Sequence, residues 1–448
     1  MSRSLDALLA PSRLAVWGAS ATDASKLGNV LLRNAQTDPA IEVTAVHRTA
    51  AEIDGVPARS EPGAIDLALI SLPAPAVESA VAQAASAGAG AAIVLASGFG
   101  EAGPDGVARE RRLLDIAGEA SMLLVGPNCM GVVSRTESAW LNATYFWSVP
   151  LVPGPLGFVS QSGAFGGVFF GQLRSRGLGM SRFVSVGNSA DVNETDVIEW
   201  LADDDETEVI GVFCEALGGG RRFVDVVRAA TQRKPVIVLK SGKAATGARA
   251  AAGHTGALTS DHLVVQAALR RAGAIEAATT DEFFDLLHAA SSPASRAPSA
   301  DRVAVITVSG GPSVLAADEV DRTGARLPVS SGALVAALEP LLPDFAAVAN
   351  PFDLTPQCPP TSFGPAVAAI YASGEYDRVV VINCGIDSAP MADAVLAARE
   401  AHPLPTTAFL LDTPGMSERF AGAGIAVLGT AEAAVRAHRL GLERGRTA

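Results

Sequence analysis

A chain of 448 residues with 49% hydrophobic, 18% charged and only 5% aromatic residues is too long for one ordinary core and suits roughly three domains of about 150 residues each. That composition excludes a disordered chain and reads as an Ala/Val/Gly-rich α/β enzyme rather than a sandwich. The formal charge of −13 comes without a Lys/Arg-rich run interleaved with aromatics, so nucleic acid is not an expected partner, although one groove can be basic in an acidic chain.

In chain order, short apolar runs alternate with small-residue turns and Ala-rich amphipathic stretches, the pattern of parallel strands covered by helices on both faces. The first third has runs at Leu14 to Trp17, Glu42 to Val46, Asp66 to Leu72, Ala91 to Ala96 and Met122 to Val125, which predict a Rossmann-like domain over 1–145. Runs at Leu156 to Ser160, Arg182 to Val186, Glu208 to Cys214 and Pro235 to Lys240 predict a flavodoxin-like domain over 146–290, with a helix following His254. The Ser/Pro/Ala stretch 291–300 reads as a linker. A third, flavodoxin-like domain over 301–448 has strands at Arg302 to Val308, Arg378 to Asn383 and Thr406 to Leu411, and a last helix starting near Thr430. Cys129, Cys214, Cys358 and Cys384 form neither a C-x-x-C pair nor a zinc-like cluster, so a reduced protein with no structural metal is expected. Met1 to Ala10 lacks a basic stretch followed by a long apolar one, so a cytoplasmic protein with no membrane insertion is expected.

Five turns carry chemistry. Gly18-Ala19-Ser20, followed by Lys26-Leu27-Gly28, is a small-residue turn after a strand, where backbone N–H groups can approach a phosphate at a helix start. Ser20 breaks the G-x-G-x-x-G fingerprint, and a plain tight turn is the alternative. Gly126-Pro127-Asn128-Cys129 lies at the end of a predicted strand, where open α/β sheets bind ligands; a turn with a buried thiol is the rival reading. Ser160-Gln161-Ser162-Gly163 and Ser309-Gly310-Gly311 each open a helix and form anion cradles. For the first, an N-cap by Ser162 or a hydrolase elbow are the alternatives, the elbow weakened because Ser160 replaces its first glycine. Finally, His254 sits between Gly253 and Gly256 on a predicted Gly/Ala-rich loop, where a neutral imidazole can attack phosphorus. Glu215, at the end of a strand, can fix its tautomer. A solvated loop histidine and an ordinary strand-end carboxylate are the bland readings.

These motifs, with Gly187-Asn188-Ser189-Ala190-Asp191, Gly253-His254-Thr255-Gly256-Ala257 and Asn350-Pro351-Phe352-Asp353-Leu354, occur in one order. In that order the chain resembles the NDP-forming acyl-CoA synthetases, relatives of succinyl-CoA synthetase and of ADP-forming acetyl-CoA synthetase. The resemblance implies that His254 is phosphorylated, that Glu215 orients it, and that the helix starts at Ser162-Gly163 and Gly310-Gly311 hold the phosphate. It further implies a coenzyme A site formed by Gly18, Ala19, Ser20, Lys26, Pro73, Ser97, Gly98, Asn128 and Cys129, with Cys129 near the thiol of the substrate. His47-Arg48-Thr49 replaces the family's Asn-Pro-Lys-like stretch, and Val308-Ser309-Gly310-Gly311 its commoner Asn-Ala-Gly-Gly. The three predicted domains leave no room for the family's ATP-grasp domains, and no P-loop precedes Gly242-Lys243 because Ile237 stands where its first glycine would be. The implied assembly is a hetero-oligomer in which an ATP-grasp beta subunit holds NTP and magnesium while this chain binds CoA and the carboxylic acid. Two rivals stand beside it: a CoA-sensing protein without catalysis, and an NAD-dependent oxidoreductase, the latter opposed by Ser20 and by His47-Arg48 where an acidic residue is needed.

Overall fold

The computed structural model describes residues 4–137, 139–216, 220–255, 262–295 and 301–441, with the backbone alone for 251–255. There are two compact units, one ending at Glu276 and the other beginning at Ala277. The first contains two seven-stranded sheets.

The first sheet is built from β1 (Arg13–Trp17), β2 (Glu42–Val46), β3 (Glu52–Ile53), β4 (Val56–Arg59), β5 (Leu67–Ile70), β6 (Ala91–Val94) and β7 (Leu123–Val125). Their order is β3-β4-β2-β1-β5-β6-β7, and only the β3–β4 pair is antiparallel. Leu14 and Val16 join the apolar cluster on one face, Ala15 and Trp17 that on the other. Burial on both faces is why these strands read as continuous apolar runs rather than alternating ones. The strand order reverses direction between β1 and β5, and at such a switch point the loops at the carboxyl ends diverge and leave a crevice.

β8 (Gly131–Arg135), β9 (Trp140–Thr144), β10 (Pro153–Ser160), β11 (Met180–Ser185), β12 (Val209–Cys214), β13 (Val236–Lys240) and β14 (Ile275–Glu276) form the second sheet, ordered β14-β13-β12-β10-β11-β8-β9. Its five parallel strands follow the flavodoxin-like order. The hairpin β8–β9 is added antiparallel to β11. These residues precede 145, so the hairpin lies in the second sheet although the sequence assigns it to the first domain. A turn-bounded pair of short strands carries no label of the sheet it will join. A stack of rings, Phe158, Phe169 and Phe183, fills the space under the helix Gly163–Arg176.

In the second unit β15 (Val303–Thr307), β16 (Phe352–Asp353), β17 (Arg378–Cys384), β18 (Thr406–Leu411) and β19 (Ala426–Leu428) are parallel in the order β16-β15-β17-β18-β19, again flavodoxin-like. The helix Thr280–Ser291 belongs to this unit. The first part of the expected linker is also built into it. Ser295 is 1% exposed, donates to the carbonyl of Thr406 and accepts from the amide of Ala426. Residues 296–300 lie outside the described residues. No helix among the described residues is long and apolar enough to cross a membrane.

Candidate functional site

The turns expected to bind CoA follow β1, β5, β6 and β7 at the carboxyl edge of the first sheet. Gly18 has φ +96°, and a Cβ there would meet the carbonyl oxygen of Ser71 at 2.1 Å. A Cβ on Gly28 would meet the carbonyl oxygen of Gly18 at 2.2 Å. Both glycines are therefore dictated by close backbone approach. Ala19 is buried. The amide of Ser20 donates to Oδ1 of Asn29 at 2.7 Å, and Nδ2 of this fully buried asparagine returns a bond to the carbonyl of Ser20. That brace uses one of the amides the sequence offers to a phosphate. Lys26 stands exposed at the start of the helix Leu27–Ala35, and Pro73 at the start of Ala74–Ser86.

After β6, Ser97 is exposed. The amides of Gly98 and Phe99 both donate to Oε1 of Glu101, and that of Gly100 to Oε2 of Glu110. Nδ2 of Asn188 bridges the two carboxylates, at 2.6 Å from Glu101 and 3.0 Å from Glu110. Burial works against the Glu101 charge, but the bonds from Asn188 and the backbone outweigh it and hold the carboxyl below its ordinary range. A groove of about 400 Å³ opens beside this loop, lined among others by Phe99, Arg109 and Arg112 together with Glu78 and Asp105, and Arg112 is paired to Glu78 at 2.7 Å.

The turn after β7 is locked to the Gly187–Asp191 loop. Asn188 N–H donates to Pro127 O, Ala190 N–H to Gly126 O and Leu124 N–H to the Asp191 carboxylate. Asn128, at φ +59°, also donates its side-chain amide to Asn188. A Cβ on Gly187 would strike Pro127 O at 2.3 Å. Cys129 is 1% exposed, its Sγ points to Val94 O, and burial pushes its thiol up to about 12. Its side chain is sealed and unreactive.

On the second sheet the ends of β10, β12 and β13 are adjacent. Ser162 caps the helix Gly163–Arg176, accepting from Phe165 N–H at 3.4 Å, and a Cβ on Gly163 would meet Met130 Cγ at 2.4 Å. The cap and the cradle coexist, because that cap serves the third helical residue and leaves the first two N–H groups facing outward. Glu215 is buried just past β12. Its amide and that of Ala216 both donate to Oε1 of Gln161, at 2.7 and 3.0 Å, and Nε2 of Gln161 reaches Glu194 at 3.0 Å. Its carbonyl accepts from Nζ of Lys240 at 2.7 Å. Glu194, Lys240 and Glu101 are groups that motif reading missed, and Gln161 and Asn188 stood in quoted motifs without being given a role. Glu194 had a usable signal, lying beside the capping box of Asn193 and Asp196.

The backbone of His254 lies in the last turn of the helix Ala245–Thr255, not on a loop. The run Ala250-Ala251-Ala252 carries enough helix propensity to override Gly247 and Gly253. Its side chain lies outside the described residues. This helix approaches the turn Gly100–Ala102 at the carboxyl edge of the first sheet. In the second unit Gly310 and Gly311 open the helix Gly310–Thr323, with no side-chain cap from Ser309. A Cβ on Gly310 would meet Oδ2 of Asp353 at 2.7 Å, so the Asn350–Asp353 motif packs against that helix start. Asn350 itself closes the edge of β15 through Val303 and Val305.

A Rossmann-like sheet with small-residue turns at its carboxyl edge is followed by two flavodoxin-like sheets, the first with a buried carboxylate just past one strand and a histidine at the end of a following helix; this defines a three-sheet α/β class. Residues 12–135 match the family described as CoA binding domain, and residues 153–290 that described as succinyl-CoA ligase like flavodoxin domain. The alpha subunit of the ADP-forming acetate–CoA ligase II of Pyrococcus furiosus is 37% identical over 354 residues, 78% of this chain and 76% of that protein. The alpha subunit of ligase I from the same organism is 34% identical over 404 residues, covering 85% and 83%. Acetyl-coenzyme A synthetase 1 of Ca. Korarchaeum cryptofilum, solved with phosphate and ADP, superposes with a TM-score of 0.87 at 30% identity over 99% of this chain and 97% of that chain. The chain belongs to the ADP-forming acyl-CoA ligase family of acid–thiol ligases, as the counterpart of the alpha subunit, which implies a partner subunit.

Proposed function

We propose that this chain is the CoA-binding subunit of a ligase that converts a carboxylic acid, CoA and NTP into acyl-CoA, NDP and phosphate, with His254 as the phosphoryl carrier. The acid first becomes an acyl phosphate, and the CoA thiolate displaces the phosphate from its carbonyl. The phosphoryl group passes to or from a ring nitrogen of His254: an N–P bond forms as the P–O bond to the leaving group breaks. Glu215 holds the opposite ring N–H and so fixes the tautomer that attacks. The helix start at Ser162-Gly163 supplies N–H groups to the phosphoryl oxygens, and the one at Gly310-Gly311 is a second phosphate cradle of the same kind. CoA is taken up by the turns around Gly18, Lys26, Pro73, Ser97 and Asn128. Nucleotide and magnesium belong to an ATP-grasp partner subunit.

One observation carries this reading. The adjacent ends of β10, β12 and β13 gather the Ser162 helix start, Glu215 and the segment leading to His254 on a single sheet edge, although more than 90 residues of sequence separate Ser162 from His254. Incubation with acyl-CoA and inorganic phosphate, or with NTP and the partner subunit, is expected to leave acid-labile, alkali-stable phosphate on the wild-type chain and none on His254→Asn. Label that persists in the variant removes the assignment.

A further inference from the structure

Lys240 ends β13, is 2% exposed, and is used by no step given above. Burying an ammonium is costly unless it is paired and hydrogen-bonded, and packing alone would be met by an apolar side chain. Its Nζ donates to the carbonyl of Glu215 at 2.7 Å and to that of Ser241. Ser241 N–H in turn donates to Cys214 O at 2.9 Å, and Cys214 and Lys240 are register partners. One ammonium thus ties the end of β12, from which the Glu215 turn departs, to the end of β13, from which the chain runs into the helix bearing His254. Gln161 completes the clamp from the other side, because both N–H groups of the turn bind its Oε1. The Glu215 peptide is therefore gripped at its N–H and its C=O by side chains rather than by the sheet. The charges that act on this ammonium are Glu215 and Glu276, with Lys243 opposing and itself 3.1 Å from Glu276.

We propose that Lys240 is a positioning residue for histidine phosphorylation: its buried ammonium holds Glu215 in register with the segment that delivers His254. This rests on the reading of His254 and Glu215 as the phosphorylation pair. Lys240→Met and Lys240→Arg are compared with the wild-type chain in the assembled enzyme. Deuterium exchange in peptides covering 209–216 and 236–244 is expected to quicken in Lys240→Met by about tenfold or more, the scale of a lost charge-assisted bond, and phosphohistidine formation to slow by a similar factor. CoA affinity, carried by the first sheet, is expected to stay unchanged, which also reports a folded chain. Arginine, which keeps the charge and the donors, is expected to restore part of both signals. Wild-type labelling and exchange in Lys240→Met overturn the proposal. So does a loss of labelling accompanied by lost CoA binding, or one that arginine does not relieve, since either assigns the residue to packing. An unlabelled wild type removes the phosphohistidine reading and this proposal together, whereas a labelled wild type with a Lys240→Met variant labelled at the same rate removes the proposal alone.

Discussion

Gly18 and Cys129 have opposite fates at the carboxyl edge of the first sheet. Gly18 needs a positive φ and has a carbonyl oxygen 2.1 Å from where a Cβ would sit, so Gly18→Ala is expected to cost about 1–3 kcal/mol and to weaken CoA binding, read by thermal melting and by titration with CoA. Cys129 lies in a turn that the family resemblance links to the CoA thiol, yet its own thiol faces the protein interior. The native chain is therefore expected to resist alkylation of Cys129 at neutral pH and to be labelled there only after unfolding, with mass spectrometry of the labelled peptides as the check. Rapid labelling of the native protein would contradict the packing described. The motif Gly126-Pro127-Asn128-Cys129 was legible as a turn; which way the sulfur points was not, because that depends on the carbonyls of Val94 and Val125 on two neighbouring strands.

Between elements, the decisive contact is the loop following β11. Asn188 ties its own loop to two turns and a helix, accepting the side-chain amide of Asn128 and donating to Glu101 and to Glu110 of the helix Pro104–Glu119. Asn188→Ala leaves two partly buried carboxylates without their shared donor, and each lost charge-assisted bond is worth about 1.5–3 kcal/mol. The expected outcome is a raised KM for CoA and a loosened loop at 97–101, with a smaller change in kcat; steady-state kinetics of the assembled enzyme distinguish the two. Asn188 stood in a motif quoted from the sequence, but its partners lie 78 and 87 residues away, and no local spacing encodes them. Helix propensity was equally underrated: the alanine run makes the segment up to Thr255 helical, where glycines on either side suggested a loop.

At the level of the whole molecule, the unit from Ala277 onward holds a buried titratable pair that contributes to its acid stability. His438 is buried and its Nδ1 lies 3.0 Å from Nη1 of Arg378. Burial, and then the charge of Arg378, depress the imidazole well below 6.5, while burial brings the guanidinium down to about 10. The folded chain therefore keeps His438 neutral where the unfolded chain takes up a proton. Stability from this group is full above pH ~6.5 and falls as the pH drops below it, by at most about 1.4 kcal/mol per pH unit. His438→Asn, which retains an acceptor for Arg378 without a titrating ring, is expected to melt with a flatter pH dependence between pH 7.5 and 5. Parallel curves for the two proteins would contradict the assignment.

The periodicity of apolar runs was enough to set the α/β class and to find the long parallel strands, with starts two or three residues late for the strands at Met180 and Pro153, because strands buried on both faces must be continuously apolar whatever their neighbours are. The small-residue turns at the strand ends were legible too, since they are demanded by local backbone geometry. Tertiary structure alone decided strand order, the addition of β8–β9 to the second sheet, the sealing of Cys129, and the grip of Gln161 and Lys240 on the Glu215 turn. Each of these is a pairing across tens of residues, and a hydrogen bond between distant strand ends leaves no period in the sequence that forms it.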